Sequence, residues 1–216
     1  MIGGPVVAVL DYGIGNLRSA QKALQRVGAD ARLTTDPGEI ASAAGVVLPG
    51  VGAFGRCVEA LEASGLAGVA RTAAEQAIEG GRPFLGICVG LQLLYEGSDE
   101  SPGRPGLGIL EGRVTLLAGD VKRPQMQWNR LDAAAPDGDG ARHPLLAEVA
   151  GDAWMYFVHS YAAPLGPHTI ATCEYGTTVC AAVGAGNLWA TQFHPEKSGE
   201  AGLRVLRNFV EGVDGR

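Results

Sequence analysis

The sequence contains little charge and few aromatic residues, and its early apolar run is short. Of its 216 residues, 19% are charged and 6% are aromatic, and the formal net charge is −6 at pH 7. The 17 lysines and arginines are dispersed, which argues against binding to nucleic-acid phosphates. The apolar run 5–10 is far shorter than the roughly 20 residues that span a bilayer, and it lacks the flanks of a secretory signal. These absences predict a soluble, cytoplasmic protein that binds neither nucleic acid nor a membrane.

Cysteines are also scarce. The four of them, at positions 57, 88, 173 and 180, are too few and too scattered for a disulfide framework in a chain of this length. Cys173 and Cys180 flank a predicted hairpin, but no further Cys or His completes a zinc-binding set with them. We therefore interpret these two as reduced thiols of the core, and the sequence predicts no bound metal.

The first half of the chain alternates predicted strands with predicted helices. The strands lie at 6–10, 31–35, 45–48 and 83–87, and the last is followed by a helix at 89–95. Continuous apolar strands indicate a sheet that is covered on both faces, and the alternation implies parallel strands with right-handed crossovers. The second half adds short strands and a final amphipathic helix, without an evident linker. We predict a single three-layer α/β domain over 1–216, with a mostly parallel, mixed sheet and helices on both faces.

The segment 86–92, GICVGLQ, carries the most informative chemical signal. A cysteine between a buried strand and a helix, close to glycines, has the arrangement of a nucleophile elbow. Gly86 and Gly90 permit the tight turn, which lifts the Cys88 sulfur to the carboxyl edge of the sheet, where open α/β sheets bind ligands. The N-terminus of the next helix favours a thiolate, and Val89 N–H is a candidate oxyanion donor. The alternative from this segment alone is a buried structural cysteine.

A candidate base with its orienting carboxylate follows another predicted strand. Proline disfavours helical geometry in the residue before it, so His194, which precedes Pro195, is expected to be extended. In an extended segment the side chains of residues i and i+2 project to the same side. Glu196 can therefore hold the imidazole of His194 in one tautomer. Combined with Cys88, this pair predicts a Cys-His-Glu triad.

The segment 49–55, PGVGAFG, contains the GxGxxG spacing of dinucleotide-binding loops. It follows the third predicted strand instead of the first, and no acidic residue ends a further strand about 20 positions on. The competing interpretation is a loop beside the nucleophile, in which the peptides at Val51 and Gly52 turn an N–H toward an oxyanion. We favour the loop. A nucleotide-binding oxidoreductase that uses Gly50, Gly52 and Gly55 is the alternative.

Two further residues allow two interpretations each. His159 ends an apolar strand, where it either borders the site or makes a structural hydrogen bond. Trp128 belongs either to the core or to a contact surface.

Together these residues resemble the class I (triad) glutamine amidotransferases, which have a flavodoxin-like fold. The GICVGLQ elbow and the triplet His194-Pro195-Glu196 carry the resemblance to the class. The match is closest to the glutaminase subunits of imidazole glycerol phosphate synthase, from histidine biosynthesis. Four further motifs carry this closer match, namely DYGIGN at 11–16, PGVGAFG at 49–55, FVHSY at 157–161 and HPEKS at 194–198. The motifs appear in family order and extend from residue 6 to about 198.

The resemblance implies hydrolysis of L-glutamine to glutamate and ammonia, without a metal or organic cofactor. The ammonia passes to a cyclase subunit, which makes imidazole glycerol phosphate and an aminoimidazole carboxamide ribotide. By the same resemblance, Gln92 and Glu100 contact the substrate, and Ser160 and Tyr161 offer it backbone groups. The residues expected at the partner interface are Asn16, Trp128 and Lys197.

The sequence departs from the family at one stretch, which usually reads Pro-His-x-Gly-Trp-Asn. Here Gln125 replaces the His and Gln127 replaces the Gly. Neither position belongs to the triad, so the departure concerns local packing and the fit to the partner.

Other functions remain open at this point. A free-standing hydrolase with the same elbow, such as a glutaminase for pyridoxal phosphate synthesis or a γ-glutamyl peptide hydrolase, would keep the triad but not the interface motifs. A binding module with a relic triad is the remaining alternative, although no triad residue is missing.

Overall fold

The computed structural model of the protein describes residues 3–133, 142–213 and 215. Six α-helices lie in this part of the chain, namely α1 (Leu17–Arg26), α2 (Pro37–Ser42), α3 (Phe54–Ala63), α4 (Ala67–Ile78), α5 (Val89–Gln92) and α6 (Gly199–Val213). The strands are β1 (Val6–Leu10), β2 (Asp30–Thr34), β3 (Gly45–Gly50), β4 (Phe84–Cys88), β5 (Tyr95–Ser98), β6 (Leu110–Leu116), β7 (Gln125–Arg130), β8 (Asp132–Ala133), β9 (Trp154–His159), β10 (Tyr161–Ala162), β11 (Thr169–Glu174), β12 (Thr178–Ala185) and β13 (Leu188–Thr191). Single 3₁₀ turns lie at Pro144–Leu146 and Pro195–Lys197.

Eight strands form the central sheet, in the order β2-β1-β3-β4-β13-β12-β11-β8. The first five are parallel to one another, and β12, β11 and β8 continue the sheet with antiparallel pairing. A three-stranded sheet (β10-β6-β5) and a two-stranded ribbon (β7-β9) lie apart from it. The mostly parallel, mixed sheet predicted from the sequence is therefore confirmed.

The strand order places helices on both faces of the sheet. Strand β2 lies on one side of β1 and β3 on the other, so right-handed crossovers put α1 and α2 on opposite faces. Helix α1 packs against α6, whereas α2 and α3 both contact α4. The resulting three layers agree with the predicted fold class. The carboxyl ends of β3, β4 and β13 are neighbours, and this edge of the sheet holds the candidate site.

The predicted helix at 89–95 is shorter in the structure. Helix α5 ends at Gln92 because Tyr95 already pairs with Leu110 as the first residue of β5. A single turn therefore follows Cys88, and the helix dipole acting on its sulfur comes from that turn alone. Asn16 occupies the N-cap position of α1, but its side chain makes no capping hydrogen bond. No helix in the described part of the chain is both long and apolar enough to cross a membrane.

Three glycines let the backbones of β3, β4 and α5 approach one another around the elbow. A Cβ on Gly50 would lie 2.8 Å from the Gly90 nitrogen, and one on Gly86 would lie 2.9 Å from the Gly90 oxygen. A Cβ on Gly90 would overlap the carbonyl oxygen of Leu48 on β3. Larger residues at these positions would force the strands and the helix apart.

We expect the substitution Gly90→Ala to destabilise the protein by about 3 kcal/mol, because the new methyl group meets backbone that cannot rotate away. For a chain of this length, that loss lowers Tm by roughly 6–12 °C. The measurement is thermal unfolding followed by circular dichroism.

Gly68→Ala is the matched control for this prediction. Gly68 lies in α4, and a Cβ there would meet nothing within 4 Å. Removing a glycine from a helix should raise stability by roughly 0.5–1 kcal/mol. Equal effects of the two substitutions would contradict the close packing described for the elbow.

Candidate active site

Cys88 occupies a sharp turn between β4 and α5. Its backbone has φ 55° and ψ −110°, a conformation that residues other than glycine rarely adopt. The residue is 3% exposed. Its sulfur lies 3.7 Å from Gln192 Nε2 and 4.0 Å from the carbonyl oxygen of Val158. The turn therefore presents the sulfur to polar groups at the carboxyl edge of the sheet.

His194 and Glu196 form a buried pair just beyond β13. His194 is extended, with φ −97° and ψ 97°. Its Nδ1 lies 2.8 Å from Glu196 Oε1, and the two side chains are 1% and 2% exposed. The Ser198 hydroxyl donates to the His194 carbonyl at 2.6 Å, and the His194 amide donates to the Tyr156 carbonyl at 3.0 Å. These bonds fix the backbone from which the imidazole projects.

The surroundings of His194 favour its charged form. Burial lowers the pKa of His194, but its interactions with Cys88 and with Glu196 outweigh burial and raise the pKa to about 9. Cys88 and Glu196 can stabilise an imidazolium because a thiolate and a carboxylate are both negative. The arrangement therefore favours the imidazolium form of His194 beside the Cys88 sulfur.

The second ring nitrogen of His194 remains available for chemistry. Because Nδ1 is bound to Glu196, Nε2 is the nitrogen on the side of Cys88. This Nε2 is buried without a hydrogen-bond partner among the described residues, so the thiol and the imidazole are neighbours without an aligned hydrogen bond. Such contacts are commonly loose in unliganded sites and tighten when substrate binds.

A cavity of about 490 Å³ opens in front of Cys88 and His194. Its wall brings together most of the residues that the sequence singled out, namely Asn16, Val51, Gly52, Cys88, Val89, Gln92, Glu100, Ser160, Tyr161, His194 and Lys197. Two others lie outside it. Glu196 sits behind His194, and Trp128 is half exposed on the outer face of β7.

The end of β3 and the loop that follows it are each held by a hydrogen bond to a carbonyl group. The Tyr12 hydroxyl donates to the Pro49 carbonyl at 2.6 Å, and the Cys57 thiol donates to the Val51 carbonyl at 3.3 Å. Burial raises the pKa of both Tyr12 and Cys57, which keeps both groups protonated as donors. The N–H of Gly52 belongs to the same peptide as the Val51 carbonyl, so it points away from Cys57.

Glu100 has a structural contact that the sequence did not indicate. Its Oε2 accepts a hydrogen bond from the Phe54 amide at 2.7 Å, at the first residue of α3. A dinucleotide-binding loop uses that helix end to hold a pyrophosphate. The Glu100 carboxylate already occupies this end of α3. The GxGxxG segment therefore forms a loop beside the nucleophile instead of a nucleotide site.

Gln92 and His159 converge on one carbonyl group. Gln92 Nε2 and His159 Nδ1 each lie 2.9 Å from the Tyr161 oxygen. Burial lowers the pKa of His159 to about 4, so the ring is neutral and its Nδ1–H is the donor. His159 therefore both borders the site and makes a structural hydrogen bond, which are the two roles that the sequence left open.

Sequence reasoning missed Gln192. Its side chain is fully buried and contacts both Cys88 and Gln92. No short-range pattern indicated it, because β13 ends at Thr191 and the backbone bends at residues 192 and 193.

An apolar surface lies outside the cavity, on the ribbon of β7 and β9. Met126, Trp128 and Trp154 are 62%, 48% and 54% exposed. Trp128 packs edge-on against Tyr156 with ring centroids 6.1 Å apart, and Lys197 Nζ lies 5.8 Å from the centre of the Tyr156 ring. Trp128 therefore belongs to the surface and not to the core. We call Met126, Trp128, Trp154, Tyr156 and Lys197 the ribbon surface.

The departure from the family stretch is accommodated within β7. Gln125 is buried, and its Nε2 lies 3.9 Å from the Cys173 sulfur, whereas Gln127 is exposed to solvent. Both residues pair regularly with β9, so neither replacement interrupts the ribbon.

The described residues contain no group of three or more His, Cys, Asp or Glu side chains that could hold a metal ion. The four cysteines are free and buried. The chemistry that this arrangement supports is nucleophilic attack by the Cys88 sulfur, with His194 as acid and base.

Several proteins of known family resemble this chain over nearly its whole length. An imidazole glycerol phosphate synthase subunit HisH from Synechococcus sp. (strain JA-3-3Ab) is 48% identical over 96% of this chain and 94% of its own length. The protein of the same name from Methanothermobacter thermautotrophicus is 47% identical, covering 95% of this chain and 98% of its own.

Solved structures share the fold at lower identity. A crystal structure titled as a glutamine amidotransferase matches with a TM-score of 0.70 at 22% identity, over 97% of this chain and 99% of its own. A chain in the structure of PurLQS from Thermotoga maritima matches with a TM-score of 0.69 at 20% identity, over the same shares.

The family model described as glutamine amidotransferase class-I matches residues 8–213. This match covers all the elements that build the site, from β1 to α6. Together with relatives that are nearly half identical from end to end, it establishes that this chain belongs to the class-I glutamine amidotransferase family.

Proposed function

We propose that this protein is the glutaminase subunit of an imidazole glycerol phosphate synthase. It hydrolyses L-glutamine to glutamate and ammonia, and a cyclase subunit uses the ammonia to make imidazole glycerol phosphate and an aminoimidazole carboxamide ribotide. The observation that carries the proposal is a strained cysteine beside a buried His–Glu pair, in a chain whose full-length relatives bear that subunit name. As part of histidine biosynthesis, the protein acts in the cytoplasm.

Acylation begins with attack of the Cys88 sulfur on the side-chain amide carbon of glutamine. His194 takes the thiol proton and later gives it to the departing nitrogen, which leaves as ammonia. Glu196 keeps the proton on Nδ1 through its 2.8 Å contact and stabilises the imidazolium. The product on the enzyme is a γ-glutamyl thioester of Cys88.

Deacylation uses the same groups with water as the nucleophile. His194 removes a proton from water as it attacks the thioester carbonyl, and glutamate is released with regeneration of the thiol. Both steps pass through a tetrahedral intermediate with a negative oxygen. The amides of Val89, Val51 and Gly52 at the cavity wall are the donors we assign to that oxygen, and losing one donor typically costs about 10²–10³ in rate.

The cavity wall also supplies the contacts to the rest of the substrate. Gln92 and Glu100 contribute side chains, and Ser160 and Tyr161 contribute backbone groups. The Tyr161 carbonyl already accepts two hydrogen bonds, and the Ser160 carbonyl accepts one from the Leu117 amide. We therefore assign the N–H groups of these two residues, instead of their carbonyls, to substrate recognition.

The ribbon surface is the docking site that we assign to the cyclase subunit. It carries exposed aromatic and apolar side chains next to Lys197, which also lines the cavity, as does Asn16. A partner seated there would cover the mouth of the site, so ammonia released at Cys88 would enter the partner instead of solvent. Exposed tryptophans of this kind are frequent anchors of protein interfaces.

Replacing the nucleophile tests the reaction. We expect Cys88→Ala to lower glutamate release by at least about 10⁴-fold, since the thioester can no longer form. The assay is glutamate release from L-glutamine, with the protein alone and in the presence of the cyclase subunit and its nucleotide substrate. Cys180→Ala, which removes another buried thiol, is the control and should retain activity.

Two outcomes of this assay would contradict the proposal. Full activity of the wild-type protein without any partner would indicate a free-standing hydrolase. Activity of Cys88→Ala equal to that of the wild type would eliminate the triad.

Neutralising the orienting carboxylate tests the role of Glu196. Glu196→Gln keeps the shape of the side chain but removes the charge that stabilises the imidazolium. We expect kcat to fall about 10²–10⁴-fold while KM changes little, because Glu196 lies behind His194 and does not line the cavity. Steady-state kinetics with the complete complex gives both constants.

Glu200→Gln is the matched control for Glu196→Gln. Glu200 lies four residues further on, and its 85% exposed side chain makes only a surface ion pair with Arg26. Its substitution should leave both constants unchanged. A similar loss of kcat in the two variants would refute the specific role of Glu196.

Truncating Trp128 on the ribbon surface tests whether the cyclase subunit docks there. Trp128→Ala should weaken binding of the cyclase subunit by roughly 30-fold, the loss expected for an interface anchor. Titration calorimetry with the purified subunit measures the affinity. The comparison variant is Leu165→Ala, which removes a side chain that is 53% exposed outside the ribbon surface, and equal affinities of both variants would count against this docking site.

A further inference from the structure

Gln192 joins the nucleophile to the cavity wall through its amide group. It follows β13 directly, its side chain is fully buried, and its backbone N–H donates to the Ala181 carbonyl at 2.8 Å. The side-chain Nε2 lies 3.7 Å from Cys88 Sγ, and the Oε1 lies 3.1 Å from Gln92 Nε2. One rigid side chain therefore contacts both the reacting sulfur and a residue assigned to the substrate.

The hydrogen bonds of the neighbours determine which end of this amide faces the sulfur. The Tyr161 carbonyl can only accept, so Gln92 must present its NH₂ group to it. The second hydrogen of that NH₂ group is then available to Gln192, which must accept it with Oε1. The NH₂ group of Gln192 is thereby directed to Cys88, where it can act as a donor.

We propose that Gln192 is a catalytic residue that stabilises the Cys88 thiolate by donating an amide hydrogen bond to its sulfur. A hydrogen bond to an anion is stronger than one to a neutral group, and burial strengthens it further. The donor thus favours ionisation of the thiol. It also holds the Gln92 amide in one orientation. Hydrogen bonds of the Gln192 amide therefore connect the Cys88 sulfur with the side chain of Gln92 at the cavity wall.

This inference concerns the site of the proposed glutaminase and rests on that function, although its first test does not require the reaction. A purely structural role for Gln192 would consist of filling space and satisfying Gln92. Such a role would affect stability but not the ionisation of the sulfur. The two roles are therefore separated by the pH dependence of Cys88 reactivity.

Several other titratable groups surround the sulfur and shape the same pH profile. They are Tyr12, Cys57 and His194 near the sulfur, and His159, Glu100 and Lys197 at the cavity wall. None of them is altered by a substitution at Gln192, so a displaced profile reports the missing amide donor.

The test measures the rate of alkylation of Cys88 by iodoacetamide as a function of pH, in the full-length protein, with the modified residue identified by mass spectrometry. Gln192→Met removes the donor at similar volume. We expect the pH midpoint of alkylation to rise by about one unit or more, in line with the loss of a hydrogen bond to a charged group. In the complex, kcat/KM should fall about 10- to 100-fold, mainly through kcat.

Gln192→Glu keeps the shape of the side chain but removes its hydrogen-bond donor to the Cys88 sulfur. The carboxylate can still accept from Gln92, but it places a negative charge beside the sulfur instead of a donor. Its alkylation midpoint should lie above that of Gln192→Met. A midpoint at the wild-type value in both variants would overturn the inference, even if both unfold at lower temperature.

Thr191→Val controls for loss of a buried hydrogen bond nearby. The Thr191 hydroxyl donates to the Phe193 carbonyl at 2.9 Å, and Thr191 is not among the residues that line the cavity. This variant should lower Tm without moving the alkylation midpoint, and a midpoint displaced as far as in Gln192→Met would overturn the inference.

The inference and the proposed function can fail separately. If the complex releases glutamate through Cys88 while Gln192 variants keep the wild-type midpoint and kcat, only the inference fails. If the midpoint rises but the wild-type complex does not release glutamate, the hydrogen bond from Gln192 to the sulfur stands, but the glutaminase assignment and the catalytic role of Gln192 in it fail.

Discussion

The close approach of three backbone segments at the end of β4 is the constraint on which the site depends. Glycines at positions 50, 86 and 90 leave no room for a Cβ between β3, β4 and α5. Cys88, confined at this crossing, adopts a positive φ of 55°, which costs an ordinary residue about 1–3 kcal/mol. Pairing of β4 with β3 and β13 on its two sides maintains the turn. The sulfur consequently stands at the sheet edge, where residues that follow β13 can reach it.

His159 and His194 both lie at the cavity, but their surroundings shift their pKa values in opposite directions. Burial, together with the nearby charge of His194, lowers the pKa of His159 to about 4, whereas interactions with Cys88 and Glu196 raise that of His194 to about 9. His159 is therefore a neutral donor that orders the Tyr161 carbonyl, and His194 is the group to which we assign proton transfer. The difference arises from the buried carboxylate and the thiol, since both rings are almost fully buried. Opposed pKa shifts within one site are typical of acid–base chemistry.

Local sequence was sufficient to predict the fold class and to bring Cys88, His194 and Glu196 into consideration. Buried strands are continuous apolar runs, and the His–Glu pair lies within three residues on extended backbone, so short-range rules apply to both. The contacts of Glu100 and Gln192 could not be predicted in the same way. Glu100 reaches the Phe54 amide 46 residues away, and Gln192 reaches Cys88 across 104 residues. The end of α5 at Gln92 was likewise misplaced because pairing of β5 with β6 decides it.

The central claim is that Cys88 attacks the side-chain amide carbon of glutamine bound in this cavity. Its most direct test is an affinity label, a glutamine analogue with a chloroketone in place of the side-chain amide, followed by peptide mass spectrometry. The account predicts one label per chain, attached to Cys88, with glutaminase activity lost in proportion and glutamine protecting against both. Labelling of Cys57, Cys173 or Cys180 instead, or inactivation while Cys88 stays unmodified, would contradict it.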